Sequence, residues 1–310
     1  MSTSLQLRGA IPANLMPFTE DLAIDEPAYR AHLRWLADVP GVEAIVVNGH
    51  AAEVTSLDED EQQRALAIAA DEVGGQVKLI AGVFTDSTRT AVRLARMARK
   101  EGADAVLVAP PTLFIWGANA RPEIAHHHFA AIADGVGIPM VVFEYSEVEG
   151  WGYSTEVLLK LAEIEPVVAV KEWSQDIVAF ERNLQALHAV GRPIAVLSSY
   201  SASLFATYAL GADGSISGMG SVVADLQAQL FDAVQRGDLA TARALNDRHV
   251  AAARAFYAPP FLDMHNRMKE ALVMLGRLDR AFVRPPLLKI SPEDRERVHQ
   301  GLIQAGLLAE

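Results

Sequence analysis

Lys171 closes an unusually apolar run, Val167-Val168-Ala169-Val170-Lys171. Burying an ammonium at the end of such a segment without a counter-ion is costly. Desolvation lowers a lysine pKa from about 10.4 towards the range in which the neutral amine is present. A neutral amine attacks a ketone and forms an iminium, which then withdraws electrons from neighbouring bonds. The competing reading is a structural lysine paired with Glu172 or another nearby carboxylate. The residues alone leave both open. Lys78, Lys100, Lys160, Lys269 and Lys289 stand at a strand start, on helices or in the tail, and are poorer candidates.

Two further segments carry groups that move protons or bind anions. Asn48-Gly49-His50-Ala51-Ala52-Glu53 reads as a tight glycine turn. Such a turn presents backbone N–H groups, which suit a carboxylate. His50 is read either as an acid–base group and donor or as a solvent-facing loop residue. Glu53 reads better as a structural carboxylate than as a catalyst. In Val142-Phe143-Glu144-Tyr145-Ser146, Tyr145 shares a face with Phe143 if the strand continues, because side chains alternate. Tyr145 is then a candidate phenolic acid–base group, or else a packed aromatic. Asn48, Gly49, Ala51, Phe143, Ser199 and Ser217 are the expected substrate-binding residues. The stretch Gly214-Ser215-Ile216-Ser217-Gly218-Met219-Gly220 fits a phosphate loop or a close backbone approach. Trp116 and Trp173 are expected at the pocket mouth or in packing.

Composition removes several classes of function. With no cysteine there is no disulfide, thiolate metal site or cysteine nucleophile. His126-His127-His128 lie on a predicted helix, where consecutive residues point about 100° apart and cannot converge on one ion. The net charge of −12 and the lack of a Lys/Arg cluster argue against nucleic acid. No apolar run is long enough to span a bilayer. Residues 1–8 lack the pattern of an export signal, so a cytoplasmic protein is expected.

These groups need a scaffold. Short apolar runs near 10–15, 43–48, 78–82, 105–109, 139–143, 167–171, 194–198 and 214–217 read as strands, each followed by a helical pattern. Alternating βα units predict a parallel sheet covered by helices, and eight of them predict a (β/α)8 TIM barrel. Asp58 with Glu61, and Ser154, are expected helix caps. An open doubly wound sheet that bound a dinucleotide would need a glycine-rich first turn, and Leu15-Met16-Pro17-Phe18 is not one. Residues 1–236 are expected to form the barrel. Residues 237–310 are expected to form a C-terminal three-helix extension, with helices at 239–258, 261–275 and 292–305.

In order and spacing the chain resembles the dihydrodipicolinate synthase / N-acetylneuraminate lyase superfamily. The resemblance rests on Met16-Pro17-Phe18-Thr19, Gly49 to Glu53, Ala81-Gly82, Pro110-Pro111, Val168-Ala169-Val170-Lys171-Glu172 and Gly211-Ala212-Asp213-Gly214. Lys269 and Arg284-Pro285-Pro286-Leu287 extend it to the C-terminal helices. It implies a Schiff base on Lys171, a small-molecule 2-oxo acid such as pyruvate or a keto-deoxy sugar acid, no separate cofactor, and a homotetramer built from dimers. The departures are as informative. The family's paired threonines fall at His50 and Ala51, its fourth-strand tyrosine at Leu113, its fifth-strand tyrosine at Phe143, and the synthase's carboxylate-binding arginine at Val148. Leucine and phenylalanine have no proton to pass, so the family's Thr–Tyr–Tyr relay is absent. The expected activity is a class I lyase, either a pyruvate-type aldolase or a 2-keto-3-deoxy sugar acid dehydratase, with Lys171, Tyr145 and His50 catalytic. A true 4-hydroxy-tetrahydrodipicolinate synthase and a silent 2-oxo-acid-binding paralogue are the alternatives.

Overall fold

The computed structural model describes residues 5–147 and 150–309. Eight parallel strands form one ring: β1 (Gly9–Pro12), β2 (Ala44–Val47), β3 (Lys78–Val83), β4 (Ala105–Val108), β5 (Met140–Glu144), β6 (Val167–Glu172), β7 (Ala195–Ser198) and β8 (Gly214–Ser217). Hydrogen-bonded ladders run from β2 in sequence order to β8 and then to β1. The last seam, between β1 and β2, is narrower. It closes through one parallel bridge, Ala13 to Val46, with the Asn14 N–H donating to the Val46 carbonyl at 3.0 Å. The architecture is the expected TIM barrel.

Helices α1 (Glu26–Ala37), α2 (Glu59–Val73), α3 (Thr88–Lys100), α4 (Pro122–Val136), α5 (Thr155–Leu161), α6 (Ile177–His188), α7 (Leu204–Leu210) and α8 (Gly220–Gln235) follow the strands in turn. Their starts are set locally. Asp58 and Glu61 form a reciprocal capping box at α2, and the Ser154 hydroxyl accepts from the Val157 N–H at α5. The strands are buried along nearly their whole length because both faces are covered, one by the barrel interior and one by helices. Gly214 shows how tight the closure is. A Cβ there would sit 2.2 Å from the Gly9 carbonyl oxygen, so the glycine serves close approach of β1 and β8.

The C-terminal extension comprises α9 (Leu239–Phe256), α10 (Met264–Met274) and α11 (Pro292–Gln304). It differs from the sequence expectation at one junction. Residues 261–263 form a separate 3-10 turn, and α10 begins at Met264. The turn brings Phe261 into a stack with Trp173 of the barrel, ring centroids 5.8 Å apart. A similar short turn at Ser201–Ser203 delays the start of α7, and the Ser201 hydroxyl bonds to Ser217.

Several histidines are structural. His32, His128 and His249 are buried, and desolvation brings their pKa down to about 3, 4 and 4. The His128 Nδ1 bonds to the Thr88 hydroxyl at 2.8 Å. In the unfolded chain these rings titrate near about 6.5. As pH falls below that value protons bind the unfolded chain first, so their contribution to stability declines and is lost as pH passes through the folded values. Thermal unfolding should therefore shift to lower temperature between roughly pH 6.5 and 4. Scanning calorimetry across that range checks this, and the slope should be shallower in His249→Gln.

Candidate active site

At the carboxyl ends of the strands lies a cavity of about 480 Å³. This is the end of a barrel where loops converge and where reactive side chains collect. Lys171 reaches it from β6. Its register neighbours are Phe143 on β5 and Leu197 on β7, so two apolar side chains flank it. The Nζ atom lies 3.5 Å from the centre of the Phe143 ring. Among the described residues no carboxylate pairs with it. Burial pulls its pKa down to about 7. The ring face favours the ammonium, but loss of hydration outweighs it. The structural pairing of Lys171 with Glu172 does not occur. Glu172 points to the opposite face of β6, where Asn183 on α6 donates to it at 3.1 Å.

Glu144 is also buried on that outer face, and the Trp173 N–H donates to its carboxylate at 3.1 Å. Desolvation and the nearby Glu172 push Glu144 well above the usual carboxylate range, and desolvation raises Glu172 too. Both carboxyls lie on the far side of the sheet from the amine and do not pair with it.

His50 and Tyr145 meet over the lysine. The Tyr145 hydroxyl and His50 Nε2 are 2.5 Å apart. β5 ends at Glu144, and Tyr145 continues its alternation for one further step, stacking on Phe143 at 4.1 Å between ring centres. The pairing of β5 with β6 is irregular at its start: Met140 faces Val167 and Val141 faces Ala169, so Val168 is passed over. Phe84 and Phe143 pack edge-on against the His50 ring. Burial and the neighbouring Lys171 lower the His50 pKa to about 4, and burial raises that of Tyr145. At neutral pH the pair is thus an uncharged imidazole and a protonated phenol.

The turn that carries His50 is clamped from behind. Residues 50–52 form one turn of 3-10 helix, and Glu53 follows at a positive φ of 53°. The Glu53 carboxylate is buried and paired with Lys269 of α10, and it also accepts from the Arg284 N–H at 3.0 Å. Arg284 in turn grips Glu61 and the carbonyls of Leu22 and Ser56. The turn's internal bonds begin at the Ala52 N–H, leaving the His50 and Ala51 N–H groups without acceptors inside it.

Most of the residues expected to bind substrate come together here. Gly49, Ala51, Phe143 and Ser199 line the cavity with Lys171, His50 and Tyr145. Two do not. The Asn48 side chain turns away and donates to the Gln62 carbonyl at 2.8 Å, as its left-handed backbone (φ 56°) directs. Ser217 is fully buried behind the wall, bonded to Ser201 and to the Gln227 amide at 3.1 Å. Trp173 lines the cavity, whereas Trp116 is 84% exposed and outside it. Leu113 is also exposed, and Val148 lies outside the described residues.

Sequence reasoning missed the contribution of the extension. Tyr257, Phe261, Met264 and His265 close one side of the cavity, and Trp151 closes another. His265 is nine-tenths buried, and neither of its ring nitrogens has a protein partner among the described residues. A Cβ on Gly218 would lie 3.9 Å from His265 Nε2 and 3.3 Å from the Ala51 Cβ, so the imidazole stands beside the His50–Ala51 turn. Burial and the charges around it lower its pKa to about 3. The available signal was the run His265-Asn266-Arg267-Met268-Lys269-Glu270, too polar to bury without specific partners.

The model of the dihydrodipicolinate synthetase family matches residues 6–305. The chain belongs to that family. Among curated relatives, the 4-hydroxy-tetrahydrodipicolinate synthase of Nitrobacter hamburgensis is 33% identical over 99% of this chain and 100% of its own. Among solved structures, the dihydrodipicolinate synthase of Aquifex aeolicus superposes with a TM-score of 0.86 at 27% identity, covering 98% of this chain and 100% of its own. YagE of E. coli K12, whose crystal structure is in complex with pyruvate, shares the fold with a TM-score of 0.89 at 24% identity, covering 98% and 100%. Named members of the family are lyases, and this chain carries the family fold with Lys171 in the barrel mouth.

Lys269→Met should destabilise the fold by about 3–5 kcal/mol, because it strands the buried Glu53 carboxylate. Urea unfolding measures this. Lys269→Met with Glu53→Gln should recover part of the loss, since the stranded charge is then removed.

Proposed function

We propose that this protein is a class I lyase that joins or separates pyruvate and an aldehyde through an iminium on Lys171. The observation that carries the reading is a desolvated amine, unpaired among the described residues, beside a hydrogen-bonded His50–Tyr145 pair. The neutral amine adds to the C2 ketone of a 4-hydroxy-2-oxo acid, and loss of water gives the iminium. The C4 hydroxyl then gives its proton to the Tyr145 oxygen while Tyr145 passes its own to His50 Nε2. The C3–C4 bond breaks, its electron pair enters the iminium as an enamine, and the aldehyde departs. Return of a proton to C3 and addition of water release pyruvate and restore the amine. Because one proton enters the phenol as another leaves, Tyr145 need not ionise first, which suits its raised pKa. The substrate carboxylate fits against the His50 and Ala51 N–H groups and His265.

The iminium is the electron sink, so the reaction as written needs no metal or separate cofactor. The aldolase reading is favoured over the sugar acid dehydratase by the aromatic lining, and over the synthase because among the described residues no arginine lines the cavity and Phe143 and Leu113 carry no hydroxyl. A proton-transfer pair beside the lysine favours an enzyme over a silent paralogue. The exposed Leu113, Ile115 and Trp116 after β4 support self-association, and a homotetramer is the assembly we infer; light scattering at micromolar concentration should give a mass well above 33.5 kDa.

Borohydride with pyruvate should trap a covalent adduct, read by intact mass, in the wild type and not in Lys171→Ala. The trapping rate should rise with pH through about 7 as the amine loses its proton. A chelator should leave turnover unchanged. His50→Ala and Tyr145→Phe should each lower turnover by at least about a hundredfold while leaving trapping largely intact, as loss of a general acid–base group does. Wild-type turnover in both variants would remove them from the proton path.

A further inference from the structure

The wall of the cavity beyond Lys171 is a continuous run of aromatic rings. Tyr145 stacks on Phe143 and meets Trp151 and Trp173 with ring centres 5.1 and 5.3 Å away. Trp173 stacks on Phe261 at 5.8 Å and 24°, and Phe261 stacks on Tyr257 at 5.7 Å and 21°. The run leads from the amine to the lip, where Phe261 is 38% exposed. The cavity, about 480 Å³, is in the range that encloses ligands much larger than pyruvate, roughly 300–1,000 Å³.

Charge and hydrogen-bonding capacity point the same way. Among the described residues Lys171 is the only lysine or arginine that lines the cavity, and no aspartate or glutamate does. A second carboxylate on the substrate would have no counter-ion. Ser201 is already bonded to Ser217, so its hydroxyl is committed to the wall, and among the described residues Gln175, Ser199 and Tyr200 are the uncharged polar side chains left along the rim and wall, against the larger area of rings. A polyhydroxylated tail would find few partners beyond those three side chains and would otherwise exchange water for ring faces at a cost. A flat apolar tail would instead replace water on those faces and offer edge-to-face or offset-stacked contacts.

We propose that the substrate is a 2-oxo acid whose tail is an aryl group, and that Trp173 and Phe261 select it. The aldehyde formed or consumed is then an aromatic aldehyde, with pyruvate as its partner. In the joining direction C3 of the Lys171 enamine adds to the aldehyde carbon, and the aldehyde oxygen takes up the proton that Tyr145 and His50 supply. No atom is gained or lost beyond the water that hydrolyses the iminium. This deepens the Schiff-base reading and rests on it.

Two measurements test the proposal and keep the two claims apart. The first is the pyruvate adduct trapped by borohydride, which reports Lys171 chemistry without a tail. The second is the ratio of kcat/KM for cleavage of 4-hydroxy-2-oxo-4-phenylbutanoate to that for 2-keto-3-deoxygluconate. The expected ratio is at least about fiftyfold, the selectivity that burying an aryl group gives an apolar pocket. Trp173→Ala and Phe261→Ala should each lower that ratio by about tenfold or more, chiefly through KM of the aryl substrate. Trapping together with a ratio near one, or with a preference for the sugar acid, overturns the aryl assignment and leaves the Schiff base standing. Wild-type ratios in both variants overturn the assigned role of the two rings. Absence of trapping overturns both claims.

Discussion

A lysine amine kept out of water with no counter-charge among the described residues is the constraint on which this site depends. Lys171 is flanked by Phe143 and Leu197, and the acids nearest in sequence or register, Glu172 and Glu144, face the other side of the sheet. Strand alternation enforces that separation: residues one step apart on β6 cannot share a face. Had Glu172 turned inward, the amine would have become a paired ammonium and a poor nucleophile. The same burial keeps His50 unprotonated and Tyr145 un-ionised. One physical cause, loss of hydration, therefore sets the charge state of all three groups.

Desolvation alone does not fix geometry, and here the extension enters. Glu53 connects the turn bearing His50 to Lys269 and Arg284, both from the C-terminal region. A buried ion pair is weak evidence for stability, since its desolvation cost offsets much of its attraction. Its value lies in orientation. The carboxylate accepts from two fixed donors, which holds a left-handed residue at the end of a three-residue turn. The histidine of that turn then lies within hydrogen-bond distance of a tyrosine from a strand across the mouth. The extension also contributes Phe261 and His265 to the cavity. The barrel thus supplies the amine and the phenol, while the helices after it complete the walls.

The resemblance read from the sequence implies a hydroxyl relay in the superfamily, and this chain has no hydroxyl at those positions. The relay positions are filled by His50, Ala51, Leu113 and Phe143. The replacement is coherent rather than piecemeal. Phe143 is the ring on which both Lys171 and Tyr145 rest, and Tyr145, two residues later, brings a hydroxyl to the same mouth. Under the function proposed here, the iminium on Lys171 is kept while the proton passes through Tyr145 and His50 and the tail meets aromatic rings.

The barrel was legible in the sequence because its cause is periodic. Short apolar runs, cap residues and helical spacing recur, and nearly every strand lies within a residue or two of its expected position. Lys171 was legible for the same reason, as a charge at the end of an apolar strand. His50 and Tyr145 were legible as candidates by residue type, but only the closed barrel brings them into contact, since they are 95 residues apart. Asn48 and Ser217 read as wall residues and are not, because a backbone rotation and a buried hydroxyl network turned them elsewhere. His265 and Phe261 could not be assigned from spacing. They follow the last strand, and no local pattern states which face of the barrel an appended helix will cover. That choice depends on long-range packing and on partners such as Glu53 and Arg284, which are far apart in the chain and meet only when it folds.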